Sequence, residues 1–174
     1  LALEDQIKGR LFGTYPVIIG WVAGGLVILG FAFVCRFRSI DLHQGKDLED
    51  IRIPMALFIG FAQCLAMWPG VSRSLATILG ALFMGVSMAA AVEFSFLLGA
   101  VTLSAASIYD LLKHGREMMQ VFDFSYMALG LVFAFISAVL SVKWMVGYLN
   151  RYGLELFGYY RILIACVAWW LFYM

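Results

Sequence analysis

Residues 16–35 run for twenty positions without a charge, and three further stretches, 94–112, 124–142 and 156–174, repeat the pattern with at most one ionisable residue apiece, Asp110 or Arg161. A hydrocarbon core about 30 Å thick takes roughly 20 apolar residues as helix. In lipid every backbone N–H and C=O must be paired inside the protein, so runs of this length read as helices. Composition agrees: 64 % of the chain is hydrophobic, 13 % is charged, and the mean hydropathy is +0.93, outside the soluble range. The expected fold class is an all-α integral membrane protein, a multi-span helical bundle forming a single transmembrane domain over 1–174.

The charge balance narrows the partners. A net charge of +1, with the bases scattered over separate loops, excludes a polyanion-binding surface, so no nucleic acid is expected. Cys35, Cys64 and Cys166 are an odd set with no metal-type spacing, and each is read as a packing residue. The chain opens at Leu1 with Glu4, Asp5, Lys8 and Arg10, unlike a signal peptide. Lacking an initiator Met, it is expected to be part of a longer protein.

Aromatic residues gather where the spans should meet the lipid headgroups: Trp144, Tyr148, Tyr152, Tyr159 and Tyr160 at one edge, Trp169, Trp170 and Tyr173 at another. Arg161 lies close enough to the end of its run to be read as snorkelling. The polar stretch 36–52 carries four bases, four acids and His43, with a break at Gly45, and reads as an extramembrane loop with a short surface helix near 48–52. Counting bases on the two sides sets Arg36, Arg38, Lys46, Arg52, Lys143 and Arg151 against Lys8, Arg10, Lys113 and Arg116, and the positive-inside rule puts the first group in the cytoplasm. The Gly20-x-x-x-Gly24 spacing offers a small-residue face, a weak signal in so apolar a run.

The segment 53–92 does not fit the pattern of simple spans. Its only charge is Arg73, immediately after Trp68-Pro69-Gly70-Val71-Ser72. Pro-Gly breaks a helix and turns the chain, so two helices are expected to meet at a tip over 68–74. The incoming part, 53–68, would be about 24 Å long as helix, short for a crossing and suited to one arm of a re-entrant hairpin. Broken backbone at membrane depth persists only inside protein or beside a watery cavity. Ser72 is placed to cap a helix beginning at Arg73, whose first turn would aim free N–H groups and the positive end of its dipole at an anion. On that helix Arg73, Thr77 and Gly80 share a face, with Ser74 beside them. An arginine fork matches two phosphate oxygens and keeps its charge at low dielectric, and Gln63 on the incoming arm offers an amide.

Plainer readings stand beside these. Arg73 is also compatible with the exposed bend of an ordinary two-span hairpin. Ser72, Ser74 and Thr77 can bond carbonyls of their own helix, and Gln63 can be a helix contact. Glu93 reads as an interfacial acid unless the bundle buries it against Arg73, His43 and His114 as solvated loop residues, and the nine methionines as packing.

The run from Gly60 to Ser74, with Thr77, Gly80-Ala81-Leu82-Phe83-Met84-Gly85-Val86-Ser87 and Glu93-Phe94-Ser95-Phe96-Leu97-Leu98, closely resembles the second signature of bacterial undecaprenyl-diphosphate phosphatases, the bacitracin-resistance family. The resemblance extends over essentially the whole chain. It implies an enzyme of the bacterial inner membrane that removes the terminal phosphate of an isoprenoid diphosphate lipid, its active site facing the periplasm, and so recycles the carrier for peptidoglycan synthesis. It also implies an inverted repeat with a second re-entrant hairpin. In this chain it implies an essential role for Arg73, with Ser72 and Thr77 beside it as catalytic donors, and with Ser74, Gly70 and Gln63 binding substrate. A divalent cation, Mg2+ or Ca2+, is implied, with ligands mostly outside this chain and none assigned within it.

Two departures accompany the likeness. The family's usual glycine after the second serine is Leu75 here, and the family's first signature, rich in Glu with a serine pair and a histidine, is absent. The resemblance therefore implies a C-terminal half whose acid and base come from a missing N-terminal half or a second protomer. A polyprenyl-phosphate or anion transporter is the rival expectation, because a broken helix at the midplane is also transporter architecture.

Overall fold

The computed structural model describes residues 13–121 and 123–173. Among these residues the only regular structure is helical: α1 (Thr14–Phe37), α2 (Ile53–Ala62), α3 (Arg73–Phe83), α4 (Met88–Val121), α5 (Phe124–Tyr152) and α6 (Glu155–Tyr173), with short 3-10 turns at Leu48–Asp50 and Gln63–Met67. Four helices, α1, α4, α5 and α6, are long and apolar enough to cross a membrane. Lys8 and Arg10, used to orient the chain, and Met174 of the last run lie outside the described residues.

Helix ends follow backbone breakers and not charges. Glu93 and Lys113 were expected to bound the span 94–112, yet α4 runs through both from Met88, because a charge marks a lipid boundary without breaking the hydrogen-bond ladder. Its 34 residues make it about 51 Å long, well beyond the hydrocarbon, and its apolar part is Met88–Gly115. Similarly α5 continues past residue 142 to Tyr152 and stops at Gly153, where φ is +68°. The segment expected as one hairpin over 53–92 ends its outgoing helix at Phe83, turns at Gly85 with φ +77°, and gives 88–92 to α4.

The base of the hairpin is tied to the loop after α1. Lys46 N donates to Gly85 O at 2.9 Å, Ser87 N to Lys46 O at 3.0 Å, and Met88 N to Leu42 O at 2.8 Å. Both ends of α2–α3 therefore sit on the side where α1 ends. In that loop Asp47 and Asp50 cap the expected surface helix reciprocally, though it is a single 3-10 turn. From this base α3 rises about 16 Å and the other arm, α2 plus its 3-10 turn, about 25 Å. Both are shorter than the roughly 30 Å core.

α1 and α6 pack antiparallel along their length. Tyr15 meets Trp169 with ring centroids 6.1 Å apart at one end, and Gly158 lies against Ile28 and Leu29 further along. Lipid tails are as apolar as leucine, so such pairs are held by close van der Waals contact, and small residues at Gly25 and Gly158 permit it. The inner face of the hairpin packs against α4: Ile59, Ile78 and Ala81, with Val92 of α4, are at most 3 % exposed, while Leu57, Phe61, Leu65 and Met67 on the incoming arm are exposed. By contrast none of the apolar window of α5 is buried. Of the cysteines expected to pack, only Cys35 is buried; Cys64 and Cys166 lie on outward faces of their segments. The aromatic cluster Trp144–Tyr148–Tyr152 stacks along α5, with neighbouring centroids 5.5 and 4.9 Å apart.

Candidate functional site: the hairpin tip

The tip, Trp68 to Ser72, leans on the first turns of α1. Trp68 Nε1 donates to Pro16 O at 3.1 Å. Gly70, at φ +88°, sits so close to Val17 that a side chain there would strike its backbone, so conformation and space both require glycine. On the facing helix a Cβ at Gly20 would lie 2.5 Å from Pro69 O. Pro16, Val17 and Gly20 lie about 3 to 9 Å into α1, so the tip stands beside its first two turns.

α3 starts at this depth. Ser72 is its N-cap, extended at ψ 127°, with Oγ accepting from Leu75 N at 3.4 Å. The N–H groups of Arg73 and Ser74 then remain outside the helix's own ladder. Ser72 Oγ and Ser74 Oγ are 3.0 Å apart.

The Arg73 guanidinium turns towards α4. Nη1 donates to Thr102 Oγ1 at 2.8 Å, and a Cβ at Gly99 would lie 2.8 Å from Nη2. The Thr102 hydroxyl in turn donates to the carbonyls of Leu98 and Gly99, at 2.8 and 3.2 Å. Glu93 is exposed and is not the partner of Arg73. Thr77 is 1 % exposed; its hydroxyl lies 3.0 and 3.1 Å from the carbonyls of Arg73 and Ser74 and 2.6 Å from Ser95 Oγ. It thus braces the first turn of α3 against α4 and stands behind the tip. Gln63 closes α2, with Oε1 buried and no hydrogen-bond partner.

Arg161 corrects the expectation of a snorkelling end residue. It is half-buried, and Nη2 donates to Gly70 O at 2.5 Å and Gly20 O at 3.3 Å. A Cβ at Gly24 would lie 2.7 Å from the same nitrogen, so the Gly20/Gly24 face makes room for a guanidinium, not only for a helix. Its Nε is buried without a partner. The tip carbonyl, which no secondary structure could pair, is satisfied by this side chain. A cavity of about 250 Å³ beside it is lined by Ser72, Ser74, Leu75 and Arg161 among others; Arg73 is not in its wall.

Sequence reasoning reached Arg73 because it is alone in forty uncharged residues. It passed over Arg161 because that residue is six positions into a span bounded by other polar groups. The four-residue spacing of Gly20 and Gly24 was the signal that could have pointed to it. Gly99 and Thr102 carry no such signal, since small and hydroxylic residues abound in α4.

Comparison with known proteins agrees with this architecture. Residues 1–167 match the family model described as bacitracin resistance protein BacA. The chain is 42 % identical over 173 residues to the undecaprenyl-diphosphatase of Sorangium cellulosum, covering 98 % of this chain and 55 % of that protein. Against the undecaprenyl-diphosphatases of Cereibacter sphaeroides (strain ATCC 17029) and Methylibium petroleiphilum it is 44 % and 40 % identical, covering 93 % and 97 % of this chain and 59 % and 63 % of theirs. It thus spans a little over half the length of the curated relatives it matches. Four spanning helices, a buried hairpin and this family match together make the chain a multi-pass membrane protein that belongs to the bacitracin resistance protein BacA family.

Proposed function

We propose that the tip binds the diphosphate head of undecaprenyl diphosphate and that the intact protein hydrolyses it to undecaprenyl phosphate and phosphate, regenerating the lipid carrier of peptidoglycan synthesis. The observation that carries this reading is the Ser72-capped start of α3 at the apex of a hairpin too short to cross, flanked by the guanidinium groups of Arg73 and Arg161. Two cations and the free N–H groups of a helix start favour an anion held away from bulk water.

Hydrolysis of a phosphoric anhydride spreads charge over the transferred phosphoryl oxygens while water attacks in line. Donors positioned before the reaction stabilise that charge without reorganising. Arg73, held by Thr102, can turn its free guanidinium edge to the phosphate; Ser72 and Ser74 can donate from the helix start, which Gly70 seats against Val17 of α1. Thr77 positions this turn through Ser95.

Among the described residues no three His, Cys, Asp or Glu side chains come together, and no carboxylate lines the tip cavity. The proposed reading gives a Mg2+ or Ca2+ ion its ligands, and the reaction its acid and base, from the part of the relatives that this chain does not span, in the same polypeptide or a second protomer. The proposed setting is the bacterial inner membrane, with the 36–52 loop cytoplasmic and the tip opening towards the periplasm.

Timed phosphate release from undecaprenyl diphosphate by the intact protein in detergent tests the reading. Steady release supports a phosphatase. A protein that binds the lipid and moves it across vesicles but releases no phosphate in detergent would instead be the transporter that such a tip could also serve.

A further inference from the structure

Arg36 and Glu155 stand at the end of the bundle away from the tip, where α1 stops and α6 begins. Arg36 lies about 24 Å along α1 from Gly20, the residue on which the tip leans. The two side chains line the same two cavities. One, of about 310 Å³, opens among Cys35, Ser39, Ile40 and Tyr152 at the helix ends; the other, of about 460 Å³, runs along the outer face of α1 past Phe33 and Leu29 to Leu26. Both residues are exposed, and among the described residues neither side chain has a hydrogen bond or an ion pair, with the other or with any further group. Charges at the edge of hydrocarbon ordinarily pair with each other or with a lipid headgroup. The outer cavity has the length of one leaflet: from Arg36 to Leu26 α1 rises about 15 Å, half of the roughly 30 Å core. Its floor is open at Gly30, where a Cβ would meet no atom within 4 Å, and its wall residues Leu26, Phe33 and Tyr159 are 59, 69 and 62 % exposed.

We propose that this is a binding site for a membrane phospholipid with an ethanolamine headgroup: the phosphate rests on Arg36, the ammonium on the Glu155 carboxylate, and the acyl chains lie along α1 over Gly30. Charge complementarity selects this occupant. A guanidinium donates to two phosphate oxygens at once, and a primary ammonium brings N–H donors to a carboxylate. An anionic headgroup without a cation satisfies Arg36 but faces Glu155 with like charge, and a trimethylammonium has no N–H to give. The depth of the groove, one leaflet and no more, suits acyl chains of ordinary phospholipid length. Bound there, the lipid spans α1 and α6, the antiparallel pair that close van der Waals contact alone holds together, and so favours their folded arrangement. The site differs from the tip in position and in chemistry, and it stands whether or not the tip hydrolyses a diphosphate.

The test titrates the intact protein, purified in detergent, with phosphatidylethanolamine, phosphatidylcholine and phosphatidylglycerol of the same acyl composition, and reads bound lipid by native mass spectrometry. The wild type is expected to hold phosphatidylethanolamine about fivefold or more tightly than either of the others. Glu155→Gln should bring it down to the level of phosphatidylcholine, and Arg36→Gln should weaken all three lipids. Gly30→Phe fills the groove where the protein leaves room, so it should fold normally and also weaken all three; it keeps the test decisive if a charge variant fails to insert. Equal affinities in the wild type, a preference for phosphatidylglycerol, or an ethanolamine preference that survives both Glu155→Gln and Gly30→Phe would overturn the site. So would retention of no lipid, which assigns the groove to the rest of the polypeptide, and displacement of phosphatidylethanolamine by undecaprenyl diphosphate, which assigns it to that lipid.

Discussion

The two sides of the hairpin tip hold one arginine each, and they hold them differently. Arg73 belongs to the tip itself and reaches outward to a threonine hydroxyl on α4. Arg161 belongs to a spanning helix and reaches inward to tip backbone, at Gly70 O and Gly20 O. A hydroxyl partner can rotate and leaves the rest of the fork available; a pair of carbonyls pins the group in place. The contrast separates the cation suited to follow a substrate from the one that fixes the frame. In each case a glycine on the facing helix, Gly99 or Gly24, makes the room.

The largest effect is expected at the tip's own arginine. Arg73→Ala should lower phosphate release by roughly 100- to 1,000-fold, the loss typical when one preorganised donor to a developing oxyanion is removed. Equal membrane insertion, checked by quantitative blotting, makes the comparison valid. Arg161→Ala should come next, and through a different quantity. It strands the Gly70 carbonyl, which costs about 1 to 3 kcal/mol, so the thermal midpoint should fall along with activity. Arg161→Lys should recover only part of both, because an ammonium lacks the planar fork. If instead Arg161→Ala abolished turnover without touching stability, the assignment of the two roles would have to be exchanged.

Gly99→Val probes the space behind Arg73 alone. A crowded contact of this kind costs about 1 to 3 kcal/mol, and it should push the guanidinium off Thr102, reducing turnover more than Arg73→Lys does. The smallest expected change is at Thr77→Val, which deletes the bond to Ser95: about 1 kcal/mol of stability and no change in KM, read by thermal melts and initial rates. A large KM effect there would put Thr77 in contact with substrate, contrary to its burial.

Much of this was legible beforehand, for identifiable reasons. Span count follows from hydropathy because lipid forbids unpaired backbone, and the tip follows from Pro69-Gly70 because no helix survives that pair. Ser72 as N-cap followed from a short hydroxyl side chain at the start of the helix after the Pro69-Gly70 break. Apolar runs bounded by charge, as at Glu93 and Lys143, do not give helix limits, since α5 ends at a positive-φ glycine, Gly153, and not at a membrane surface. Thr77 illustrates a further limit. Helical spacing places it with Arg73 on one face, but only the position of α4 decides that this face meets Ser95. Arg161 was hidden because its partners lie 91 and 141 residues away, a separation that no local pattern encodes.

The central claim is that the tip is a hydrated anion site inside the membrane. It is tested most directly by placing a single thiol at the tip, Ser74→Cys, with Cys35, Cys64 and Cys166 changed to alanine, and measuring its alkylation by a membrane-impermeant reagent. The account predicts reaction from one face of the membrane only, strongly slowed by farnesyl diphosphate. Labelling at the same rate with and without the diphosphate, or from neither face, would contradict it.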